Sequence, residues 1–244
     1  MERSLEGRVA VVTGGGVRVG RAIAEGLGQR GAKVVVHYSS SRDGAEQAAK
    51  AIRDAGSAAV AVQGDLTKSA DASRVVAAAE PWGGCDLLVN SAAIFERKPI
   101  EQIDDDAWRQ MIDVNLSGPF FCCRAAVPAM KRKGGGDIVS VVDVGGALKA
   151  WAGYSHYCAS KAGLAMLTRS LALELAPAIR VNAVAPGTVL FPEAYGEEER
   201  ERQLSRIPLG RTGTPQDVVE AIVYLLGARY VTGQILAVDG GRTA

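Results

Sequence analysis

Short apolar runs alternate with amphipathic stretches along the whole chain. Residues 9–13 are apolar without polar alternation, the pattern of a parallel strand buried on both faces. Gly14-Gly15-Gly16 follows, then Ala22, Ile23 and Leu27 at helical spacing, up to a stop at Gly31. Lys33–Tyr38 predicts a second strand, 43–55 a helix ended by Gly56, 58–62 a third strand, and a further helix starts near Lys68. A fourth strand is predicted at 86–90. Beyond it, Trp108, Met111, Ile112, Val114 and Leu116 mark a long helical region that Gly118-Pro119 should kink or break. The fifth strand falls at 137–142. Leu164, Leu167, Leu171 and Leu175 then carry a helix that Pro177 ends. Residues 179–184 predict a sixth strand, 217–226 the last amphipathic helix, and Ile235–Val238 the last strand. Such alternation predicts an α/β domain, and its first strand–glycine turn–helix–strand unit is how a dinucleotide-binding fold begins.

Composition narrows the partners. The 244 residues show no compositional break, which predicts one domain over 1–244. Lys plus Arg (28) nearly balance Asp plus Glu (27), so no strong field invites nucleic acid or an anionic membrane. Cys85, Cys122, Cys123 and Cys158 have neither disulfide-framework nor metal-ligand spacing, and nothing suggests a metal; they read as free thiols of a reducing compartment. The start lacks an apolar signal core and no run is long enough to span a bilayer, so a soluble, cytoplasmic protein is expected. Residues 193–206 are densely charged, either a lid over a site (about 190–208) or a solvated helix.

The candidate chemistry centres on 143–161. Tyr157 and Lys161 are four apart, on one face of a helix. A nearby ammonium lowers a phenol's pKa from its usual value of about 10, making the pair an acid/base candidate. Asp143 follows the fifth strand, where open α/β sheets bind ligands. After the second strand come His37, Tyr38, Ser39, Ser40, Ser41 and Arg42, with no carboxylate before Asp43. Hydroxyls and an arginine suit a 2′-phosphate, so NADPH/NADP+ is the expected cofactor. Asp65, next to Leu66, either meets an adenine edge or caps the following helix. Asn90-Ser91-Ala92-Ala93 gives small residues at a strand's carboxyl end, and Phe95 beyond them either stacks on a flat ring or packs in a core. Asn115 interrupts an apolar helix face and serves either structure or a proton path. His37 and His156 read as hydrogen-bonding loop residues.

In order and spacing, the glycine turn at 13–20, Asn90-Ser-Ala-Ala, Asn115, Tyr157/Lys161, Pro186-Gly187 and Asp239-Gly-Gly resemble the short-chain dehydrogenase/reductase family over essentially the whole chain. The resemblance implies a single-domain Rossmann fold, a doubly wound seven-stranded parallel sheet with helices on both faces. It implies a homotetramer, and an active site of Asn115, Tyr157, Lys161 and a serine, here replaced by Asp143 one residue further from the tyrosine than usual; Ser155 is another candidate for that role. Asn115 would hold a water linking Lys161 to solvent. The implied cofactor contacts are Gly14, Arg18, Val19, Gly20, His37, Tyr38, Ser39, Ser40, Arg42, Asp65, Leu66, Asn90, Ala92, Pro186, Gly187 and Thr188, with Tyr157 and Lys161. Arg18 in place of the middle glycine, Asp143, His37-Tyr38, Phe95 and Gly153-Tyr154-Ser155-His156-Tyr157 look like the pteridine and dihydromonapterin reductases of that family. That subgroup implies a pterin substrate, with dihydrofolate as a further candidate, against Arg18, Phe95, Asp143 and Tyr157. A carboxylate opposes the charge that grows on a ketone oxygen but accepts a pterin's N–H donors. The alternatives are a carbonyl reductase of the same family, acting on a 3-oxoacyl thioester or small ketone, and a non-catalytic NADPH-binding protein. Arg242 is near enough to the C-terminus to reach a neighbouring subunit's site.

Overall fold

The computed structural model describes residues 5–191 and 196–244. Its elements are β1 (Val9–Val12), α1 (Arg18–Gln29), β2 (Lys33–Tyr38), α2 (Arg42–Asp54), β3 (Ala59–Gln63), α3 (Ser69–Ala77), β4 (Leu87–Asn90) and α4 (Asp105–Ile112). A π-helical turn (Asp113–Ser117) leads into α5 (Gly118–Arg132), β5 (Gly136–Val141) and a short helical turn α6 (Val144–Ala147). The chain continues with α7 (Ser155–Leu175), β6 (Ile179–Pro186), α8 (Glu197–Leu204), α9 (Pro215–Gly227) and β7 (Ile235–Val238). The strands form one seven-stranded parallel sheet in the order β3-β2-β1-β4-β5-β6-β7.

Strand periodicity sorts the core. Ala10 and Val12 face one side of the sheet with Ile23, Leu27, Ile52 and Ile222 from α1, α2 and α9. Val9 and Val11 face the other with Val75, Cys122, Met130 and Leu175 from α3, α5 and α7. Both faces are covered, which is why these strands read as apolar without alternation. The order turns outward between β1 and β4, and the carboxyl ends on either side of that point are where such sheets bind ligands.

The helix does not break at Gly118-Pro119. Gly118 N–H bonds to Asp113 O, one residue further back than in an α-helix, and α5 continues directly with Pro119 in its first turn. A proline lacks only a donor that the π turn has already taken out of the ladder. The widened turn carries Asn115, fully buried.

At the amino ends of the strands, a charged cluster ties the sheet together. Arg8 pairs with Asp86 and Asp137 (2.9 Å), Lys133 with Asp86 (2.7 Å), and Arg180 with Asp137 (2.6 Å). Arg180 also donates to the carbonyls of Leu225, Leu226, Ala228 and Val231 at 2.8–3.0 Å. It thereby satisfies two orphan carbonyls at the end of α9, which has no basic residue in its own last turn, and two in the loop beyond it.

Candidate active site

The glycine turn is fixed from three sides. Thr13 Oγ1 accepts the N–H groups of Ser91 (2.9 Å) and Ala92 (3.0 Å), joining the ends of β1 and β4. His37 Nδ1 accepts Gly14 N–H (3.1 Å) and its Nε2 faces Gly64 O at 3.1 Å, so Nε2 carries the proton. His37 is buried and burial lowers its pKa, leaving it a neutral cross-link under the turn. A side chain on Gly14 would strike Ala92, and one on Gly20 would meet Gly14 O at 2.1 Å. The first turn of α1 holds no acid, and Asn90 Oδ1 is buried without a partner at the end of β4. Close backbone approach, an acid-free helix N-terminus and an unspent acceptor fit a dinucleotide's pyrophosphate and polar groups.

Arg18 opens α1 with φ +49°, the left-handed region that glycine prefers. An L-residue there costs about 1–2 kcal/mol. Among the described residues its exposed side chain returns only a 3.4 Å bond, to Leu190 O. Such an outlier points to function at that position. Arg18→Gly is expected to keep or raise the unfolding temperature while weakening cofactor or substrate binding about tenfold, the scale of one charged hydrogen bond. Parallel melting and KM measurements check this; a fall in melting temperature would show that the strained backbone is not relieved by glycine.

The cofactor contacts expected further along have mixed placements. Ser39, Ser40 and Arg42 are exposed at the end of β2, Tyr38 is half-buried, and Arg42 opens α2. Asp65 accepts from Thr67 N–H (3.1 Å) and its hydroxyl (2.7 Å) and pairs with Lys68, so its carboxylate organises the entry to α3. Leu66 is buried against Gly118. Val19 and Ala92 are half-buried beside the turn. Pro186 ends β6, Gly187 N–H bonds to Val238 O at 3.0 Å, and Thr188 follows.

Asp143, Tyr157 and Lys161 come together at the end of β5. Asp143 uses one oxygen to cap the next turn, accepting Gly145 N–H at 2.7 Å, and the other to accept the Tyr157 hydroxyl at 2.9 Å. The extra residue is absorbed between 143 and 155. Gly146 takes φ +88° and lies so close to α7 that a Cβ would meet Cys158 backbone at 2.5 Å. Ser155 is exposed on α7, so Asp143 rather than Ser155 meets the tyrosine. Burial lifts the Asp143 carboxyl to about 6 despite its hydrogen bonds and the charges of Lys161 and Arg242.

The expectation that Lys161 lowers the Tyr157 pKa is reversed. Burial and then the Asp143 carboxylate hold the phenol well above its ordinary value. Lys161 Nζ donates to Val141 O at 3.0 Å and stands 5.8 Å from the tyrosine ring centre. Its own pKa falls to about 8 through burial, against the pull of Asp143. Tyr157 is therefore a phenol at neutral pH, hydrogen-bonded to its neighbouring carboxylate.

Asn115 lies behind this group. Its amide exchanges both bonds with the Ile94 backbone (2.9 Å each) and also approaches Met111 Sδ and Ser160 Oγ. The side chain clamps the β4 exit to α7, which fixes Phe95 one residue later. His156 is on α7 rather than in a loop, and its buried ring nitrogens have no partner among the described residues, against the expectation of a hydrogen-bonding role.

Phe95 is half-exposed at the mouth. It stacks on Tyr154 (4.9 Å, 18°), meets Tyr157 edge-on (4.8 Å, 82°) and meets Trp151 edge-on at 6.3 Å. Sequence reasoning assigned Phe95 but missed Trp151 and Tyr154 as its partners. The aromatic spacing 151, 154, 157 was their only trace. The exposed charged helix α8 lies beyond; of the predicted lid, residues 192–195 fall outside the described residues. Arg242 bonds Thr188 and Gln203 of its own chain.

Comparison with known proteins agrees with this geometry. A family model described as enoyl-(acyl carrier protein) reductase matches residues 16–243. A 3beta-hydroxysteroid dehydrogenase 1 of Eggerthella lenta is 40% identical, covering 100% of this chain and 96% of its own. A cis-4-hydroxycyclohexanecarboxylate dehydrogenase of Sinomonas cyclohexanicum is 43% identical, with 97% of each covered. A 7 alpha-hydroxysteroid dehydrogenase solved with NADH and 7-oxo glycochenodeoxycholic acid superimposes with a TM-score of 0.93 at 31% identity, over 98% of this chain and 95% of that one. These names are of steroid and cyclohexane dehydrogenases, and they lend no support to the pterin subgroup. With its Rossmann sheet, its glycine turn and its Tyr157–Lys161 pair on α7, the chain belongs to the short-chain dehydrogenase/reductase family.

Proposed function

We propose that the chain is an oxidoreductase interconverting a ring-borne ketone and the matching secondary alcohol, with NADPH as the preferred reductant. The observation that carries this is the Tyr157 hydroxyl, kept protonated 2.9 Å from Asp143 on a ring that meets half-exposed Phe95 edge-on. The relatives named above support the ring-alcohol class. When bound, the nicotinamide supplies hydride in reduction and takes it back in oxidation. Gly14, Gly20 and Asn90 would hold the pyrophosphate and polar groups of the dinucleotide, and Phe95, Trp151 and Tyr154 receive the substrate ring and exclude water. Tyr157 gives its proton to the carbonyl oxygen in reduction; in oxidation it takes the alcohol's proton as it passes its own to the Asp143 carboxylate. Lys161, anchored on Val141 O, keeps a cation behind the phenol as it gives up that proton.

Asp143 sets the direction of the tyrosine proton. Ionised, it accepts that proton's hydrogen bond; protonated, it donates to Tyr157 and leaves the tyrosine proton free for the substrate. The kcat/KM for reduction is therefore expected to rise as pH falls through about 6, and that for oxidation to fall. In Asp143→Ser this limb should vanish from both profiles.

Asp143 also favours a second reading, reduction of a dihydropterin or dihydrofolate, because a carboxylate can accept the heterocycle's N–H while Tyr157 protonates a ring nitrogen. The same substitution separates the two. Asp143→Ser should leave or raise ring-ketone turnover and lower dihydropterin turnover at least about tenfold. Wild-type turnover of a dihydropterin but of no ring ketone would overturn the main proposal.

The preference for NADPH is supported by the Ser39, Ser40 and Arg42 surface at the end of β2, where no carboxylate awaits a ribose hydroxyl. Arg42→Ala should raise KM for NADPH about tenfold and leave that for NADH within about twofold. Equal effects on both would remove Arg42 from the 2′-phosphate. We also propose a homotetramer, supported by exposed Met166 and Leu173 on α7 and Trp108 on α4. A reducing, cytoplasmic setting is supported by four free thiols; no helix among the described residues is long and apolar enough to cross a membrane.

A further inference from the structure

The C-terminal turn is built around one carboxylate. Asp239, just after β7, accepts Gly241 N–H (2.9 Å), Thr243 N–H (2.9 Å) and the Thr243 hydroxyl (2.6 Å). Leu209 N–H bonds to Gly240 O at 3.1 Å, docking the turn on the segment after α8. Arg242 is held between these anchors and is half-buried. Its Nη1 donates to Thr188 Oγ1 at 2.5 Å and its Nη2 to Gln203 Oε1 at 2.7 Å. The guanidinium thus sits where the tail, the exit of β6 and helix α8 meet.

Both acceptors are neutral. Among the described residues no carboxylate lies within ion-pair distance of Arg242, whereas Arg8, Arg30, Arg74, Arg180 and Arg211 each pair with at least one. A guanidinium offers five donors in a planar fork that matches a carboxylate, and two of its nitrogens are here used once each. Its charge also reaches the active site, since it draws the Asp143 carboxyl downward against burial. Among the described residues Arg242 is therefore a fixed cation without an ion-pair partner, on the site side of the strand ends.

We infer that Arg242 is a specificity residue for an anionic substrate: the ring ketone or alcohol carries a carboxylate that pairs with the Arg242 guanidinium while the reacting carbon lies at Tyr157. The identity of the reacting group rests on the proposed function; the anion contact rests on Arg242 itself. The cofactor's pyrophosphate is the other source of negative charge beside Thr188, and the experiment separates the two.

Calorimetric titration of the enzyme–NADP+ complex with 4-oxocyclohexanecarboxylate and with its carboxamide tests the inference without requiring turnover. Wild type should bind the carboxylate at least about tenfold more tightly than the amide, the scale of a charge-assisted bond. Arg242→Gln should abolish the difference and Arg242→Lys should retain part of it, with NADP+ affinity within about twofold throughout and melting curves confirming folded protein. Equal affinity for acid and amide in wild type, or no binding of the acid, would overturn it. So would a parallel loss of NADP+ affinity in Arg242→Gln, which assigns the guanidinium to the pyrophosphate. Carboxylate preference without turnover of either ketone when NADPH is supplied would sink the ring-ketone function and leave the anion contact standing. Turnover of both ketones with equal affinity would do the reverse.

Discussion

Tyr157→Phe is expected to reduce kcat/KM by about 10³-fold or more in both directions, while the protein stays folded with a loss of about 1 kcal/mol. The hydroxyl is the only group of the Asp143–Tyr157–Lys161 set both protonated at neutral pH and edge-on to the Phe95 ring. Lys161 cannot replace it, since its Nζ is committed to Val141 O. Asp143 loses a donor in the variant but keeps Gly145 N–H, so the turn it caps survives. Because the lost interaction is a proton transfer in the transition state, the fall should appear in kcat with substrate KM little changed. Stopped-flow and steady-state assays read this directly. A variant retaining more than about a tenth of wild-type kcat would remove Tyr157 as the proton donor.

Arg180→Leu is expected to cost about 3–5 kcal/mol of folding stability, the largest loss of any single substitution considered. It strips five contacts at once: the ion pair with Asp137, two bonds to the last carbonyls of α9 and two to the loop that follows it. Asp137 stays largely buried and keeps only Arg8, while the end of α9 loses its cap. Arg180→Lys should recover only part of the loss, because one ammonium cannot serve carbonyls fanned around a planar fork. Urea unfolding of the three proteins measures this. A loss below about 1 kcal/mol in Arg180→Leu would mean the cluster is screened like a surface pair.

How much of this was legible beforehand follows from what each feature depends on. Strands and helices were readable because strands buried on both faces leave apolar runs, and β2 and β7 fell at the predicted residues. The π turn was not, because Pro119 predicts lost hydrogen bonding without saying that a neighbouring turn can absorb it. Asp143, Tyr157 and Lys161 were found from spacing, and the contact of Asp143 with Tyr157 makes the extra intervening residue harmless. The direction of the tyrosine shift was misjudged because Tyr-x-x-x-Lys spacing reveals the cation but not the burial, nor the carboxylate supplied by a different element. Arg180 had no local signature, and Arg242 had only its place near the C-terminus, which did not reveal its partners. Their partners lie 39 to 54 residues away, joined only by sheet order and the course of the tail.

The most direct test of the central claim follows consumption of reduced nicotinamide by the wild-type enzyme with a ring ketone, a dihydropterin and an acetoacetyl thioester side by side, each with NADPH and with NADH. Ring-ketone reduction faster with NADPH is the predicted result. Turnover of the dihydropterin or thioester with none of the ring ketone would contradict it, and would move Asp143 from tuning a carbonyl reaction to serving a different substrate.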